Sequence, residues 1–264
     1  MIRKLSQLLI ILSITTALHA QPGTWRQVGQ AGAWINTKFA SSNNGVLYTI
    51  EETGALYKTN PSTGAWQKIG NSTYGNTSQL FAGDAYVYTI ETNGSLFRTN
   101  PSNANWQQLG ATGAWINTIA GVVNSGNIYT VESTGVLYHT SAATGVWQKI
   151  GNADYINTRY LFNENGKLYT IEKDGSLYEI STYNGSWKRV GLAGAWVNTI
   201  AGCTYKGSLY TVESSGALYK TNLSTGVWVQ MGKADFANTK FLFAGESHIY
   251  TIETSGTLYE INLY

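Results

Sequence analysis

From residue 25 onward, apolar and polar positions alternate in short runs, and the runs come in sets of four. One set reads NTRYLFN, KLYTIE, SLYEI and SWKRVG, segments of five to seven residues rich in β-branched and aromatic types. A period of two over such lengths, bounded by Gly, Asn, Asp and Ser, predicts strands joined by tight turns. No segment sustains the period of a helix.

The set recurs six times. Tyr-Thr-Ile/Val-Glu begins at Tyr48, Tyr88, Tyr129, Tyr169, Tyr210 and Tyr250, at intervals of 40 or 41 residues. Trp-x-x-x-Gly recurs in step from Trp25 to Trp228, and Asn-Thr from Asn36 to Asn238. Four strands per unit in six units predict an all-β chain, a six-bladed β-propeller of four-stranded antiparallel blades. The chain opens on a lone fourth strand, GTWRQVG, and ends after a third strand, TLYEINLY. The first is expected to complete the last blade and close the ring, leaving no open end.

The turns carry their own signal. Gly54, Gly94, Gly135, Gly175, Gly216 and Gly256 occupy one position in all six units, as expected where the backbone needs positive φ. The Asp174-Gly175 pair suggests a tight hairpin there. The Trp series within the fourth strands is expected to pack between neighbouring sheets, because large aromatics dominate cores. The six Glu residues of the tetrads, from Glu51 to Glu253, either accept backbone hydrogen bonds at the following turn or form a ring able to meet cations or sugar hydroxyls.

The loop joining one blade to the next behaves differently. AGAWINT (31–37) returns as TGAWINT (112–118) and AGAWVNT (193–199), while the intervening loops carry a smaller ring. The aromatic position therefore reads Trp34, Tyr74, Trp115, Tyr155, Trp196, Phe236. The true repeat is a pair of blades, which gives a pseudo-threefold. Propeller loops are where binding residues gather. Trp34, Trp115 and Trp196 are the candidate stacking platforms, with Asn36, Asn117 and Asn198 as hydroxyl partners and Tyr74, Tyr155 and Phe236 as their counterparts. The alternative is that all six rings plug blade junctions.

Composition adds constraints. Arg3 and Lys4 precede a short apolar run, Leu8 to Leu12, and Ala20 precedes Gln21. Residues 1–20 read as a secretory signal peptide, leaving 21–264 as a single propeller domain, secreted or periplasmic after cleavage near Ala20. The apolar stretch is too short for a membrane span, so no membrane insertion is expected. Removing the two cations takes the balance from 17 basic and 15 acidic residues to fifteen of each. Such a surface lacks the positive field a nucleic-acid partner demands. Cys203 is the single cysteine, so packing alone holds the fold together. His139 and His248 are the histidines beyond residue 20, and neither is repeated nor beside a second ligand. No metal spacing, nucleophile elbow or phosphate loop occurs. Neither a catalytic residue nor a cofactor is expected. A site in the central channel, built from converging carboxylates, is the competing enzymatic reading.

The run IGNADYINTRYLFNENGKLYTIEKDGSLY (150–178), with GAW at 32–34, 113–115 and 194–196, resembles the tachylectin and tectonin type of lectin propeller. The family's repeats are longer and form five blades; the likeness here extends over 25–264. A weaker likeness of architecture to quinoprotein propellers lies in Thr-Gly-x-Trp at Thr63, Thr144 and Thr225. The lectin resemblance implies a secreted multivalent carbohydrate-binding protein with no enzymatic activity, holding glycans or glycoconjugates of a cell surface near blade junctions. A protein-interaction propeller without sugar specificity is the alternative.

Overall fold

The computed structural model describes residues 21–71 and 73–264; the expected signal peptide, 1–20, lies outside the described residues. Strand β1 (Trp25–Val28) precedes the first complete blade, β2 (Thr37–Asn43), β3 (Val46–Glu51), β4 (Leu56–Thr59) and β5 (Trp66–Ile69). Blade 2 is β6 (Thr77–Gly83), β7 (Tyr86–Glu91), β8 (Leu96–Thr99) and β9 (Trp106–Leu109). Blade 3 is β10 (Thr118–Asn124), β11 (Asn127–Glu132), β12 (Leu137–Ser141) and β13 (Trp147–Ile150). Blade 4 is β14 (Thr158–Glu164), β15 (Lys167–Glu172), β16 (Leu177–Ile180) and β17 (Trp187–Val190). Blade 5 is β18 (Thr199–Tyr205), β19 (Ser208–Glu213), β20 (Leu218–Asn222) and β21 (Trp228–Met231). Blade 6 is β22 (Thr239–Ala244), β23 (Ile249–Glu253) and β24 (Leu258–Ile261), completed by β1.

Every sheet is a four-stranded antiparallel meander, and β1 pairs with β24 from Trp25↔Ile261 to Val28↔Leu258. The protein is a six-bladed β-propeller whose ring is closed by its N-terminal strand. Closure gives the outer edge of β24 a partner and joins the two ends of the chain by main-chain hydrogen bonds.

Both faces of each blade are covered, so the second strand of each blade is buried along its centre, as at Leu47, Tyr48, Thr49 and Ile50. In blade 1, Tyr48 and Ile50 pack with Leu56, Ile69, Tyr74, Leu80 and Val87 at the junction with blade 2. Leu47, on the other face of the same sheet, packs with Trp34, Phe243, Tyr250 and Ile252 at the junction with blade 6. Six such clusters hold the ring together.

The pseudo-threefold extends into this core. Phe81 of blade 2 presses on Gly121 of blade 3, where a Cβ would lie 2.5 Å from its Cζ; Phe162 of blade 4 meets Gly202 of blade 5 at 2.9 Å. Phe243 of blade 6 shares its cluster with Ala40 of blade 1. Each even blade thus inserts a ring where the following odd blade carries a small residue.

The conserved turn glycine has a reason beyond its torsion. Gly175 has φ 79°, and a Cβ there would sit 2.2 Å from the Val197 amide nitrogen of the next blade's loop. The hairpin is wider than its Asp-Gly pair suggests: Glu172 N–H donates to Ser176 O, and Gly175 N–H to Glu172 O. The two-residue left-handed turns lie at the opposite end of the blades, as at Asn44-Gly45 with φ 47° and 73°.

Candidate functional site

The junction loops are set first by backbone bonds. Trp34 N–H donates to Gly256 O of the preceding blade, and Glu52 N–H to Asn36 O of the loop. The same pair of bonds recurs at Trp115 and Asn117, and at Trp196 and Asn198. Trp34, Trp115 and Trp196 are thereby driven into the junctions, with only 3–4 % of their surface exposed. Tyr74, Tyr155 and Phe236 are equally buried. These rings plug the junction core and offer a ligand no open face to stack on; Trp34, Trp115 and Tyr155 each wall a neighbouring pocket. Asn36, Asn117 and Asn198 are exposed, anchor the hairpin through their carbonyls, and do not line those pockets.

The fourth-strand tryptophans show the reverse. Trp25, Trp66, Trp106, Trp147, Trp187 and Trp228 are 45–61 % exposed instead of lying between sheets. Each lies edge-on to an aromatic of the third strand: Tyr57–Trp66, Phe97–Trp106, Tyr138–Trp147, Tyr178–Trp187, Tyr219–Trp228 and Tyr259–Trp25. Centroids are 4.8–5.3 Å apart and planes cross at 75–87°. Edge-to-face geometry of this kind contributes about 0.5–1.5 kcal/mol beyond area burial. The signal was present in the sequence: in WQKI, Trp66 and Lys68 share one face of an outermost strand, and that face must meet water.

Between this exposed pair and the buried plug lies a small pocket. In blade 1 it is lined by Ala33, Trp34, Thr49, Glu51, Tyr57, Thr59 and Trp66, with a volume of about 50 Å³. Blade 3 repeats it with Ala114, Trp115, Thr130, Glu132, Tyr138 and Trp147, at about 30 Å³. Blade 4 repeats it with Asp154, Tyr155, Thr170, Glu172, Tyr178 and Trp187, at about 100 Å³. Such volumes hold one to a few waters or one substituent of a larger ligand. Sheet register explains the convergence, since Thr37↔Glu51, Thr49↔Tyr57 and Thr59↔Trp66 are cross-strand partners on one face.

Hydroxyls along this face are short of partners, and Thr59 and Thr130 among them line the pockets. Oγ1 of Thr37, Thr59, Thr77, Thr118, Thr130, Thr140, Thr199 and Thr211 is buried without a hydrogen bond from the protein. Buried hydroxyls normally find a partner, so eight exceptions on one repeated surface call for an explanation. The six tetrad carboxylates do not cap the turn, which is held by backbone bonds and by its own side chains, as where Ser176 N–H donates to Asp174 Oδ1. Burial instead pushes each of them, from Glu51 to Glu253, above the ordinary carboxylate range, with Asp174 adding to the rise at Glu172.

That shift has a stability consequence. A carboxyl whose folded pKa is raised holds its proton more tightly in the native state than in the unfolded chain. Its stabilising contribution is complete below the unfolded value and lost as pH rises through the folded value. Six groups act this way, against Glu179, whose pKa is lowered by Lys167 and Lys188 in excess of its burial. Thermal melts are expected to hold or rise as pH falls from neutrality toward the upper carboxylate range. A melting temperature that falls steadily over that window would contradict this assignment.

A central channel of about 870 Å³ is lined by the inner strands of all six blades. Its polar groups are engaged across blades: Asn163 Nδ2 donates to Val123 O, Thr204 Oγ1 to Asn163 O, and Gly207 N–H to Glu164 Oε1. Cys203 is buried at its wall, with its thiol pushed up by burial and by Glu164. Among the described residues, no cluster of His, Cys, Asp and Glu is placed to hold a metal ion.

No family model matches the chain, and no curated protein matches it in sequence. Solved structures do. A structural-genomics protein of unknown function from Bacteroides thetaiotaomicron aligns at TM-score 0.68 and 11 % identity, over 92 % of this chain and 76 % of that one. YCF48 from Cyanidioschyzon merolae aligns at TM-score 0.58 and 12 % identity, over 86 % and 83 %. YCF48 bound to D1 peptide aligns at TM-score 0.60 and 11 % identity, over 93 % and 98 %. Likeness at such identity shows the propeller fold.

Proposed function

We propose that the protein is a multivalent carbohydrate-binding protein, a lectin, whose sites are the repeated pockets at the blade junctions. The observation that carries this reading is the pocket's composition: an exposed Trp edge-on to a half-buried Tyr, beside an unpartnered threonine hydroxyl, Thr59 in blade 1 and Thr130 in blade 3, and a carboxylate. A pyranose presents an apolar face and a rim of hydroxyls. Trp66 or Trp147 offers a surface for the first, and Thr49, Thr59, Thr130 and the glutamates offer partners for the second. The resemblance to tachylectin and tectonin propellers supports the same reading, as does the signal-like start of the chain, which suits a secreted or periplasmic protein meeting surface glycans. The reading assigns no catalytic step and no cofactor.

Single sites of this size bind weakly, and their repetition on one rigid ring supplies avidity of about 10² to 10⁴ on a multivalent surface. The test is a glycan array probed with residues 21–264. Retention on dense glycan spots, competed by the free sugar, is expected; a blank array overturns the reading.

A second reading rests on a different surface. Ile35, Ile116, Ile156 and Val197 follow the plug residues and are exposed on the loop-bearing face. Apolar side chains repeated there suit a protein or peptide partner, as does the peptide complex of the YCF48 propeller. A blank array together with peptide capture, lost on changing these four residues to Ser, would favour it.

A further inference from the structure

We infer that the blade junctions differ in kind, ligand-competent in blades 1, 3 and 5 and internally satisfied in blades 4 and 6, so that the residue before the plug determines the valency of the ring. The ligand class rests on the carbohydrate reading above; the division into two kinds rests on two observations that fall on the same blades.

The first is the fate of the tryptophan indole. In blade 4, Trp187 Nε1 donates to Asp154 Oδ2 at 3.3 Å, and in blade 6, Trp25 Nε1 donates to Asp235 Oδ2 at 3.4 Å. The loop carboxylate holds the donor that a sugar oxygen would use. In blade 4 that carboxylate lines the same pocket as Glu172. Blades 1, 3 and 5 carry Ala33, Ala114 and Ala195 at that position, which have no acceptor to offer.

The second is the state of the inner hydroxyls. In blade 4, Thr170 Oγ1 donates to Tyr160 O and shares a hydrogen bond with Thr158 Oγ1, and in blade 6, Thr251 Oγ1 donates to Thr239 Oγ1. Of the eight unpartnered hydroxyls, seven belong to blades 1, 3 and 5 and one, Thr77, to blade 2. Blade 2 also carries Phe97 where the other blades have Tyr, so its pocket lacks the phenol. Space does not explain the division, since the blade 4 pocket is the roomier one at about 100 Å³. Partners do. A ligand hydroxyl entering blades 1, 3 or 5 satisfies groups that have none, whereas in blades 4 and 6 it must displace bonds already made.

The test counts bound ligand on the full chain without residues 1–20. Methyl glycosides of neutral hexoses and N-acetylhexosamines serve as probes, and native mass spectrometry or calorimetry gives the stoichiometry. Three equivalents are expected. Ala33→Asp, at an exposed loop position, is expected to lower the count to two with an unchanged thermal melt, and Asp154→Ala to raise it to four. Six equivalents, or a count unmoved by Ala33→Asp, would overturn the inference. The indole N–H signals provide a readout independent of any sugar. Those of Trp187 and Trp25 are expected to exchange with solvent more slowly than those of Trp66, Trp147 and Trp228. If every glycoside fails to bind, the carbohydrate reading falls while these signals still decide the latch; equal exchange would remove it.

Discussion

Replacing Trp66, Trp147 and Trp228 together by Ala is expected to abolish binding to dense glycan spots while leaving the propeller folded. Each of these rings is about half exposed and lies edge-on to Tyr57, Tyr138 or Tyr219, and Trp66 and Trp147 wall the pockets of blades 1 and 3. Removing one deletes the apolar surface on which a sugar ring would lie. Removing all three deletes it from every odd blade and forfeits avidity of about 10² to 10⁴. Each change loses one edge-to-face contact of about 0.5–1.5 kcal/mol, so the three together cost about 1.5–4.5 kcal/mol beyond area burial, and none opens a cavity in the core. Circular dichroism and a thermal melt check the fold, and the array checks binding. The matching variant at Trp106, Trp187 and Trp25 is expected to keep most of the signal. An array response that survives the odd-blade changes would place the site elsewhere.

The plug tryptophans are expected to behave in the opposite way. Trp115→Ala empties a junction where the ring, 3 % exposed, packs with Phe81, Tyr88, Ile90, Leu96 and Leu109. The ring also lies against Gly110, whose Cβ position would be 2.6 Å from Trp115 Cη2. Nothing nearby is free to collapse into the space, so the loss is expected to be about 3–5 kcal/mol. Against a total stability of about 5–15 kcal/mol, that is a large fraction. At roughly 2–4 °C per kcal/mol for a chain of this size, the melting temperature should fall by about 6–20 °C. Trp115→Phe should lie between the two. Chemical denaturation of the three proteins decides it, and a change below about 1 kcal/mol for Trp115→Ala would show the ring to be peripheral.

The contrast between these two tryptophan series shows where sequence reading succeeds and where it stops. Both recur with the same period and both are bulky aromatics near Gly, so the repeat alone cannot say which is inside. Strand order within the blade carries the missing information. Trp66 begins the outermost strand and shares its face with Lys68, whereas Trp34 belongs to a loop held down by Gly256 O of the neighbouring blade. The first fact was readable once the fourth strand was known to be the outer one. The second joins residues more than two hundred positions apart and has no local signature.

The alternation of Trp with Tyr or Phe in the loops was legible, and so was the Ala or Asp that precedes the ring. Its meaning was not. Asp154 looks like an ordinary turn residue until the sheet carries Trp187 within hydrogen-bonding distance of it. The tetrad glutamates were likewise visible six times over. Their placement inside pockets, and not on the turn backbone, follows from the pairing Thr37↔Glu51 and its equivalents.

The sequence by itself determined the number of blades, the strands in each, the closing role of the first strand and the two-blade repeat. Those features follow from periodicity, and periodicity is a local property that hydrophobic burial and turn chemistry write into every unit. Only the tertiary structure decided which aromatic faces solvent, which hydroxyls lack partners and which carboxylate binds an indole. Those depend on how one blade meets the next, and such contacts are made between residues that no spacing along the chain brings together.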